Sequence, residues 1–352
     1  MRAADSCSFT FYHGYERAHP RVPRLTAVVL GARIGGCLYR LRASRIIPTV
    51  STTYIAPGAR MIRLADCFPN TPAEAPPMRE FDWARSGVAL PYVIFITGRC
   101  GSTLLTHLLA ESGLCGNPDE FFNEERMIDL ARELEAPDFP AYFRAVVRHT
   151  VTNRRFGFEI DPHRFEQLRE LISFPDIFSP RRTVFFWMTR RDIVSQAWSY
   201  AKAKQTGLWH RFADGSEKRL PASEPAPPDA ISDALWWREI IITLRGERII
   251  EDFLAASRIT PYRLDYEMLV TDRLRTVVSV LQALSCGPDE IARNLAPQPD
   301  YTARNHYDDW HQAMIVFCDR YRSELRYIDR HRRDVDIDGL WLELKNRHSL
   351  AV

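Results

Sequence analysis

The chain of 352 residues is 45% hydrophobic and 26% charged, a composition that fits a globular protein with a large core and excludes a disordered chain. Its 47 Lys and Arg residues nearly balance its 45 Asp and Glu residues, and the formal net charge of +2 argues against nucleic-acid binding. The seven cysteines have no CxxC spacing, and no apolar run reaches the roughly 18 residues of a membrane span. We therefore expect a cytoplasmic protein with reduced thiols and no membrane span.

The first 88 residues carry the weakest pattern in the chain. Gly31–Gly36, GARIGG, is superficially similar to a dinucleotide-binding loop, but no second strand–helix unit with an acidic ribose partner follows it. Phe68–Pro77, FPNTPAEAPP, indicates a linker because it is rich in proline. Met61 and Met78 are candidates for an alternative translation start. The predicted organisation is an N-terminal extension over residues 1–88, a main domain over 89–335 and a C-terminal tail over 336–352.

From Pro91 the chain predicts a strand, a glycine turn and a helix. The apolar run Pro91–Thr97 is typical of a strand buried on both faces. Two glycines then bracket a tight turn, and leucines at helical spacing follow Ser102. This geometry directs backbone N–H groups and the positive end of a helix at an anion. The predicted anion-binding residues are Gly98, Arg99, Cys100, Gly101, Ser102, Thr103 and Leu104.

The glycine turn differs from the Walker A loop of nucleotide kinases and NTPases. That loop requires G-x-x-x-x-G-K-[ST], whereas this turn is shorter and has no lysine. Arg99 supplies a cation instead, and its planar guanidinium can bind two oxygens at once. On the turn alone, an ordinary strand-to-helix connection with a capping serine remains an alternative.

A second element, Leu114–Phe122, follows the helix and reads LCGNPDEFF. The R-x-G-S-T-L-L loop, a glycine and a P-x-E-F-F element in this order resemble the bacterial sulfotransferases typified by trehalose 2-sulfotransferase and the lipopolysaccharide sulfotransferases. The resemblance implies transfer of a sulfuryl group from 3'-phosphoadenosine 5'-phosphosulfate to a carbohydrate or glycolipid hydroxyl, without a metal. It covers about Tyr92 to Arg330 and is dense at Gly98–Phe122, at Arg190–Trp209 and around Tyr266.

Strands and helices alternate through the rest of the chain. This alternation predicts an α/β, P-loop-like three-layer sandwich with a central, mainly parallel sheet, the fold that the resemblance also implies. Ligands of such sheets lie beyond the carboxyl ends of the strands, where the glycine turn is placed. The predicted strands are 154–160, 183–189 and 258–264, and the predicted helices are 126–135, 139–150, 163–172, 192–203, 233–256, 272–285 and 306–327.

The resemblance implies a second anion site for the 3'-phosphate of the donor. In sulfotransferases an arginine after a strand and a serine in the following helix bind this group. Here Thr189–Ser199, TRRDIVSQAWS, offers Arg190 and Ser199 as the best fit, with Arg191 and Ser195 as substitutes. The alternative is a strand end with solvated arginines and a helix cap.

Glu120 is the candidate general base, because the resemblance places the base of the family in the P-x-E-F-F element. A carboxylate in water is a weak base, and Phe121 and Phe122 beside it are candidates for the apolar wall that would desolvate it. The alternatives are a surface glutamate in an acidic stretch, or Asp119 as the base.

Weaker matches concern the acceptor and the nucleotide. Gln205–Trp209 resembles a family Q-T-x-x-W element, and Tyr266-Glu267 resembles a Y-E turn near the nucleotide. Gly157–Glu159 departs from the G-x-K strand of the trehalose enzyme, which leaves the acceptor open. Two rival functions are a P-loop nucleotide kinase or NTPase and a non-catalytic nucleotide-binding protein. The oligomeric state, including a homodimer, is not indicated by the sequence.

Overall fold

The computed structural model describes residues 67–68, 76–211, 217–219, 231–295 and 310–348. The GARIGG segment, most of the predicted linker and the rest of the first 66 residues lie outside this part of the chain. The predicted domain boundaries therefore stay predictions. The described strands, numbered β1 to β6 in chain order, are Leu90–Ile96, Arg155–Ile160, Val184–Thr189, Leu208–Arg211, Glu217–Arg219 and Tyr262–Asp265.

The helices alternate with the strands as the sequence predicts. Most boundaries agree within a few residues, and the helices that begin at Phe139 and Asp233 have the predicted ends. No helix among the described residues is both long and apolar enough to cross a membrane. The described helices, numbered α1 to α13 in chain order, are Ser102–Glu111, Glu124–Glu133, Phe139–Thr150, Pro162–Leu171, Phe174–Ile177, Ile193–Thr206, Asp233–Ala256, Tyr266–Thr271, Arg273–Ala283, Pro288–Asn294, Trp310–Arg320, Arg322–His331 and Ile337–His348.

The central sheet has four parallel strands in the order β2-β1-β3-β6, and the remaining described strands form the separate antiparallel pair β4-β5. Alternate residues of β1 enter two different core clusters, because successive side chains of a strand point to opposite faces. Val93 and Phe95 pack with α3 and α4, whereas Tyr92 and Ile94 pack with α1 and α9. Helices therefore cover both faces of the sheet, and the predicted three-layer α/β fold is confirmed.

A third core cluster lies between α7 and the C-terminal helices. Trp236 stacks on Phe317 with ring centroids 4.2 Å apart. The predicted helix 306–327 is two helices in the described part, because α11 ends at Arg320 and α12 begins at Arg322. Tyr321 separates them, since its ring is buried against Trp237 and its hydroxyl donates to Asp233 Oδ2 at 2.9 Å. Leu340 and Leu344 of α13 are buried in the same cluster.

The fourth strand of the sheet is shorter at its start than the predicted strand 258–264. Arg258 has a positive φ of 54°, and the N–H of Ile259 donates to the carbonyl of Leu254 at 2.8 Å. These residues close the C-terminus of α7, because a left-handed residue after a helix satisfies its last carbonyls. Pairing with β3 therefore begins only at Tyr262.

Candidate active site at the carboxyl edge of the sheet

The glycine turn connects the carboxyl end of β1 with the first residue of α1. Gly101 is the N-cap and adopts a φ of 87°, and it offers no side-chain cap to the N-terminus of α1. Arg99 also lies in the left-handed region, with a φ of 65°. A non-glycine residue in this conformation is strained, a feature that clusters at ligand sites. The alternative of an ordinary connection capped by a serine does not describe this turn.

Close packing makes both glycines of the turn necessary. A Cβ on Gly98 would lie 2.2 Å from Tyr200 Cε2, and a Cβ on Gly101 would lie 2.5 Å from Tyr266 Cδ2. Real Cβ atoms do not approach other carbon atoms so closely, and substitution would displace a ring. The backbone of the turn is therefore in contact with α6 and α8 through these two tyrosines.

Arg99 links the glycine turn with α6 and β4. Its Nε donates to Ser199 Oγ at 3.0 Å, and its Nη1 donates to the carbonyl oxygen of Trp209. The ring of Trp209 packs edge-on against Tyr200, with centroids 5.6 Å apart. The structure thus brings together the loop arginine, the serine predicted for the second anion site and the tryptophan of the Q-T-x-x-W element.

Gln196 supports the same turn and was not singled out by the sequence analysis. It is fully buried on α6, and its Nε2 donates to Thr97 Oγ1 at 2.9 Å and to the carbonyl of Gly98 at 2.8 Å. These bonds satisfy polar groups at the end of β1 that would otherwise be buried without partners. No motif marks this glutamine, since its partners lie about one hundred residues earlier in the chain.

The second predicted anion site is the turn between β3 and α6. The guanidinium of Arg190 lies over the ring of Tyr266, 4.4 Å from its centroid, and its Nε is buried without a hydrogen-bond partner among the described residues. Because Tyr266 also contacts Gly101, this one ring touches both predicted anion-binding turns. In the structure the guanidinium of Arg190 therefore packs on Tyr266, whereas Ser199 is hydrogen-bonded to Arg99.

The alternative pair at this turn is already engaged in local contacts. Asp192 is the N-cap of α6, and its carboxylate accepts from the N–H of Ser195 at 2.9 Å and from the Ser195 hydroxyl. The side chain of Arg191 is 66% exposed and lies 3.5 Å from both Asp265 and Glu267. Ser195 is therefore bound to the N-cap residue of α6, and Arg191 belongs to a surface ion pair.

Two charged residues from distant segments hold the backbone of this turn. The Glu267 carboxylate accepts from the N–H of Arg191 and from that of Asp192, each at 3.1 Å. Arg332 donates to the carbonyl oxygens of Arg190 and Arg191, each at 2.7 Å. Sequence reasoning did not find Arg332, since nothing in its arginine-rich stretch distinguishes it from its neighbours. Two N–H groups of the turn are therefore bound to a carboxylate.

The P-x-E-F-F element runs beside the edge strand β2. The N–H of Glu159 donates to the carbonyl of Asp119 at 3.2 Å, and the rings of Phe121 and Phe122 are buried in the core cluster. Glu120, which precedes them in the chain, is partly exposed, and its Oε2 accepts from Asn123 Nδ2 at 2.9 Å. The two rings anchor the element and so fix the position of Glu120.

Glu120 lies within the electrostatic reach of a charged cluster beside the glycine turn. Burial disfavours the charged form of Arg164, but the carboxylates of Asp161, Glu124 and Glu120 outweigh burial and raise its pKa. Burial also raises the pKa of Tyr200, and Glu120 is among the charges that add to this effect. Because the ring of Tyr200 touches Gly98, Tyr200 links the glycine turn with the charged cluster that includes Glu120.

Comparison with known proteins identifies the family. The model of the Stf0 sulphotransferase family matches residues 91–153 and 165–324, which include both arginine-bearing turns and the P-x-E-F-F element. The chain belongs to the Stf0 sulphotransferase family. The family that the motifs predict is therefore confirmed.

The family relatives match most of their own length. The chain is 26% identical over 277 residues to a trehalose 2-sulfotransferase of Mycobacterium tuberculosis, covering 66% of this chain and 95% of that protein. It is 25% identical over 292 residues to the trehalose 2-sulfotransferase of Mycolicibacterium smegmatis, covering 71% and 97%.

Two solved structures match the chain at lower sequence identity. Retinol dehydratase in complex with androsterone and inactive cofactor PAP has a TM-score of 0.36 at 10% identity, over 69% of this chain and 84% of that one. The sulfotransferase domain of the Synechococcus PCC 7002 olefin synthase has a TM-score of 0.34 at 12% identity, over 80% and 98%.

Cys100 of the glycine turn is fully buried in this Stf0 protein and lies within the electrostatic reach of Glu159. Burial raises the pKa of the Cys100 thiol to about 12, and the charge of Glu159 adds to this increase. The thiol is therefore protonated at neutral pH and is a small buried spacer rather than a nucleophile. Glu159 is only 2% exposed and pairs in register with Ile94 of β1.

Proposed function

We propose that this Stf0 protein transfers a sulfuryl group from 3'-phosphoadenosine 5'-phosphosulfate to a hydroxyl of a carbohydrate or a glycolipid. The observation that carries the proposal is the pair of arginine-bearing turns, which Tyr266 joins by touching both Gly101 and Arg190. A donor with a 5'-phosphosulfate and a 3'-phosphate requires two anion sites of this kind. The names of the trehalose 2-sulfotransferase relatives support a carbohydrate acceptor.

The residues present suit such a donor. The N-terminus of α1 has no side-chain cap, so the N–H groups of its first turn that lack an intrahelical partner suit a bound anion. Arg190 has a buried Nε without a hydrogen-bond partner among the described residues, and a phosphate oxygen would provide one. We assign the 5'-phosphosulfate to the residues Gly98 to Leu104, and the 3'-phosphate to Arg190 together with Ser199.

In the proposed reaction the acceptor oxygen forms a bond to sulfur while the bond from sulfur to the bridging oxygen breaks. Negative charge grows on the oxygen that stays with the 5'-phosphate. Arg99 and the N–H groups at the start of α1 stabilise that charge, because fixed donors at a dry site need little reorganisation. Glu120 accepts the proton of the acceptor hydroxyl and so acts as the general base. The donor has no chain of adjacent phosphates for a metal to gather, and we propose that none is required.

Nucleotide binding tests the proposal against a P-loop kinase or NTPase. Adenosine 3',5'-bisphosphate should raise the melting temperature of the full chain, whereas ATP with magnesium should not. EDTA should leave sulfuryl transfer unchanged. Stabilisation by ATP with magnesium and none by the bisphosphate would refute the assignment of both anion sites.

A further inference from the structure

The turn between β3 and α6 has an unusual set of hydrogen-bond partners. Two of its carbonyls, from Arg190 and Arg191, accept from one guanidinium, that of Arg332, each at 2.7 Å. Two of its N–H groups, from Arg191 and Asp192, donate to one carboxylate, that of Glu267, each at 3.1 Å. Exposed turns commonly bind water with such groups, whereas here two charged side chains fix the backbone from opposite sides.

Glu267 and Arg332, which we call the clamp of this turn, each have a further charged partner. Arg332 pairs with Glu247 of α7 through its Nε at 2.9 Å and its Nη2 at 2.7 Å, and the side chain of Glu247 is 10% exposed. Glu267 also lies 3.5 Å from the guanidinium of Arg191. Charge-assisted bonds of this kind are stronger and more directional than neutral ones. The turn is therefore tied to α7 and α8 and is not a free surface connection.

The clamp acts on the residue that we assign to the 3'-phosphate. Tyr266, the neighbour of Glu267 on α8, stacks under the guanidinium of Arg190 at 4.4 Å. One dipeptide thus fixes the backbone of the turn through its glutamate and the side chain of Arg190 through its tyrosine. Glu267 cannot itself bind a phosphate, since it is an anion and its two oxygens already accept from the turn.

We propose that Glu267 and Arg332 are positioning residues that fix Arg190 for the 3'-phosphate of the donor. They set the preference of the enzyme for 3'-phosphorylated over plain adenosine nucleotides. This inference rests on the proposed function, because it requires a donor with a 3'-phosphate. The competing explanation is that Glu267 occupies the N–H groups of an anion site and weakens nucleotide binding.

Isothermal titration of the full chain with adenosine 3',5'-bisphosphate and with adenosine 5'-phosphate separates these explanations. The ratio of the two affinities reports only on the 3'-phosphate. Glu267→Gln retains one acceptor but turns an NH₂ group toward the second N–H. We expect the ratio to fall by about ten- to a hundredfold, as for groups that orient a binding side chain. Arg332→Lys keeps the charge but loses the planar guanidinium that donates to both carbonyls, and it should have the same effect.

The controls address folding and additivity. Asp272→Asn alters a carboxylate that also accepts a backbone N–H, from Arg275 at 3.0 Å, and it should leave the ratio unchanged. In an Arg190→Ala background, Glu267→Gln should cause no further fall, because residues that act through one another are not additive. Urea midpoints show whether each variant is folded.

Each outcome is decisive. An unchanged ratio in both folded clamp variants would overturn the positioning role while leaving the proposed function intact. A higher ratio in Glu267→Gln would show that the carboxylate competes with the phosphate, which also overturns the inference. If the unmodified protein bound neither nucleotide, the proposed function itself would fail, and the inference with it.

Discussion

Substitution of Gly101 by alanine should disturb both anion-binding turns through a single ring. The new Cβ would lie 2.5 Å from Tyr266 Cδ2, and the same ring carries the guanidinium of Arg190. The φ of 87° costs an alanine about 1–2 kcal/mol, and overpacking adds about 1–3 kcal/mol. We therefore expect the free energy of unfolding to fall by about 2–5 kcal/mol in Gly101→Ala.

Gly113 provides a matched control at the other end of α1. It also has a positive φ, 62°, but a Cβ there would meet nothing within 4 Å. Gly113→Ala should therefore lose only the backbone part, about 1–2 kcal/mol, and should retain nucleotide affinity. Urea unfolding measures the free energy of unfolding, and isothermal titration with adenosine 3',5'-bisphosphate measures the nucleotide affinity.

The two variants should differ in nucleotide affinity more clearly than in stability. Displacement of Tyr266 removes the support of Arg190, and a lost charge-assisted bond corresponds to about a tenfold or greater loss of affinity. If Gly101→Ala bound the bisphosphate as tightly as Gly113→Ala, the contact between Tyr266 and the glycine turn would have no role in binding.

Three further variants test other parts of the site. Glu120→Gln should bind adenosine 3',5'-bisphosphate normally but lose about 10²- to 10⁴-fold in turnover, the range for general-base catalysis, and normal turnover would indicate another base such as Asp119. Arg99→Ala should lose about 1.5–3 kcal/mol of donor affinity in titrations, and an unchanged affinity would contradict the assignment of the loop. Burial raises the pKa of the Cys100 thiol from 9.0 to about 12. As the pH rises, this thiol therefore loses its proton first in the unfolded state. The free energy of unfolding should thus fall above about pH 9. Urea midpoints from pH 7 to 10 should fall less steeply in Cys100→Ser, and identical slopes would contradict this ionisation.

Periodicity and local motifs predict the architecture well. The apolar runs ending at Thr97 and Thr189 are buried strands of the central sheet, and glycines and leucines at the expected spacing form the turn and α1. These features depend on neighbours within a few residues, which a sequence displays directly. The same holds for the P-x-E-F-F element, whose aromatic pair is buried as part of the core.

Contacts between distant segments could not be predicted. Gln196 and Arg332 both hold a predicted anion-binding turn, but their partners lie about one hundred residues or more away in the chain. The break at Tyr321 has the same origin, since a hydroxyl bond to Asp233 ends a helix that periodicity would continue. Tertiary contacts override local preference at these positions.

Radiolabelled sulfuryl transfer tests the central claim most directly. The full chain is incubated with ³⁵S-labelled 3'-phosphoadenosine 5'-phosphosulfate and a panel of sugars and glycolipids, and labelled acceptor and released adenosine 3',5'-bisphosphate are quantified. We predict that the two products appear in equal amounts with at least one acceptor and that both fall together in Glu120→Gln. Release of bisphosphate without a labelled acceptor, or no reaction although the donor binds, would contradict a carbohydrate sulfotransferase.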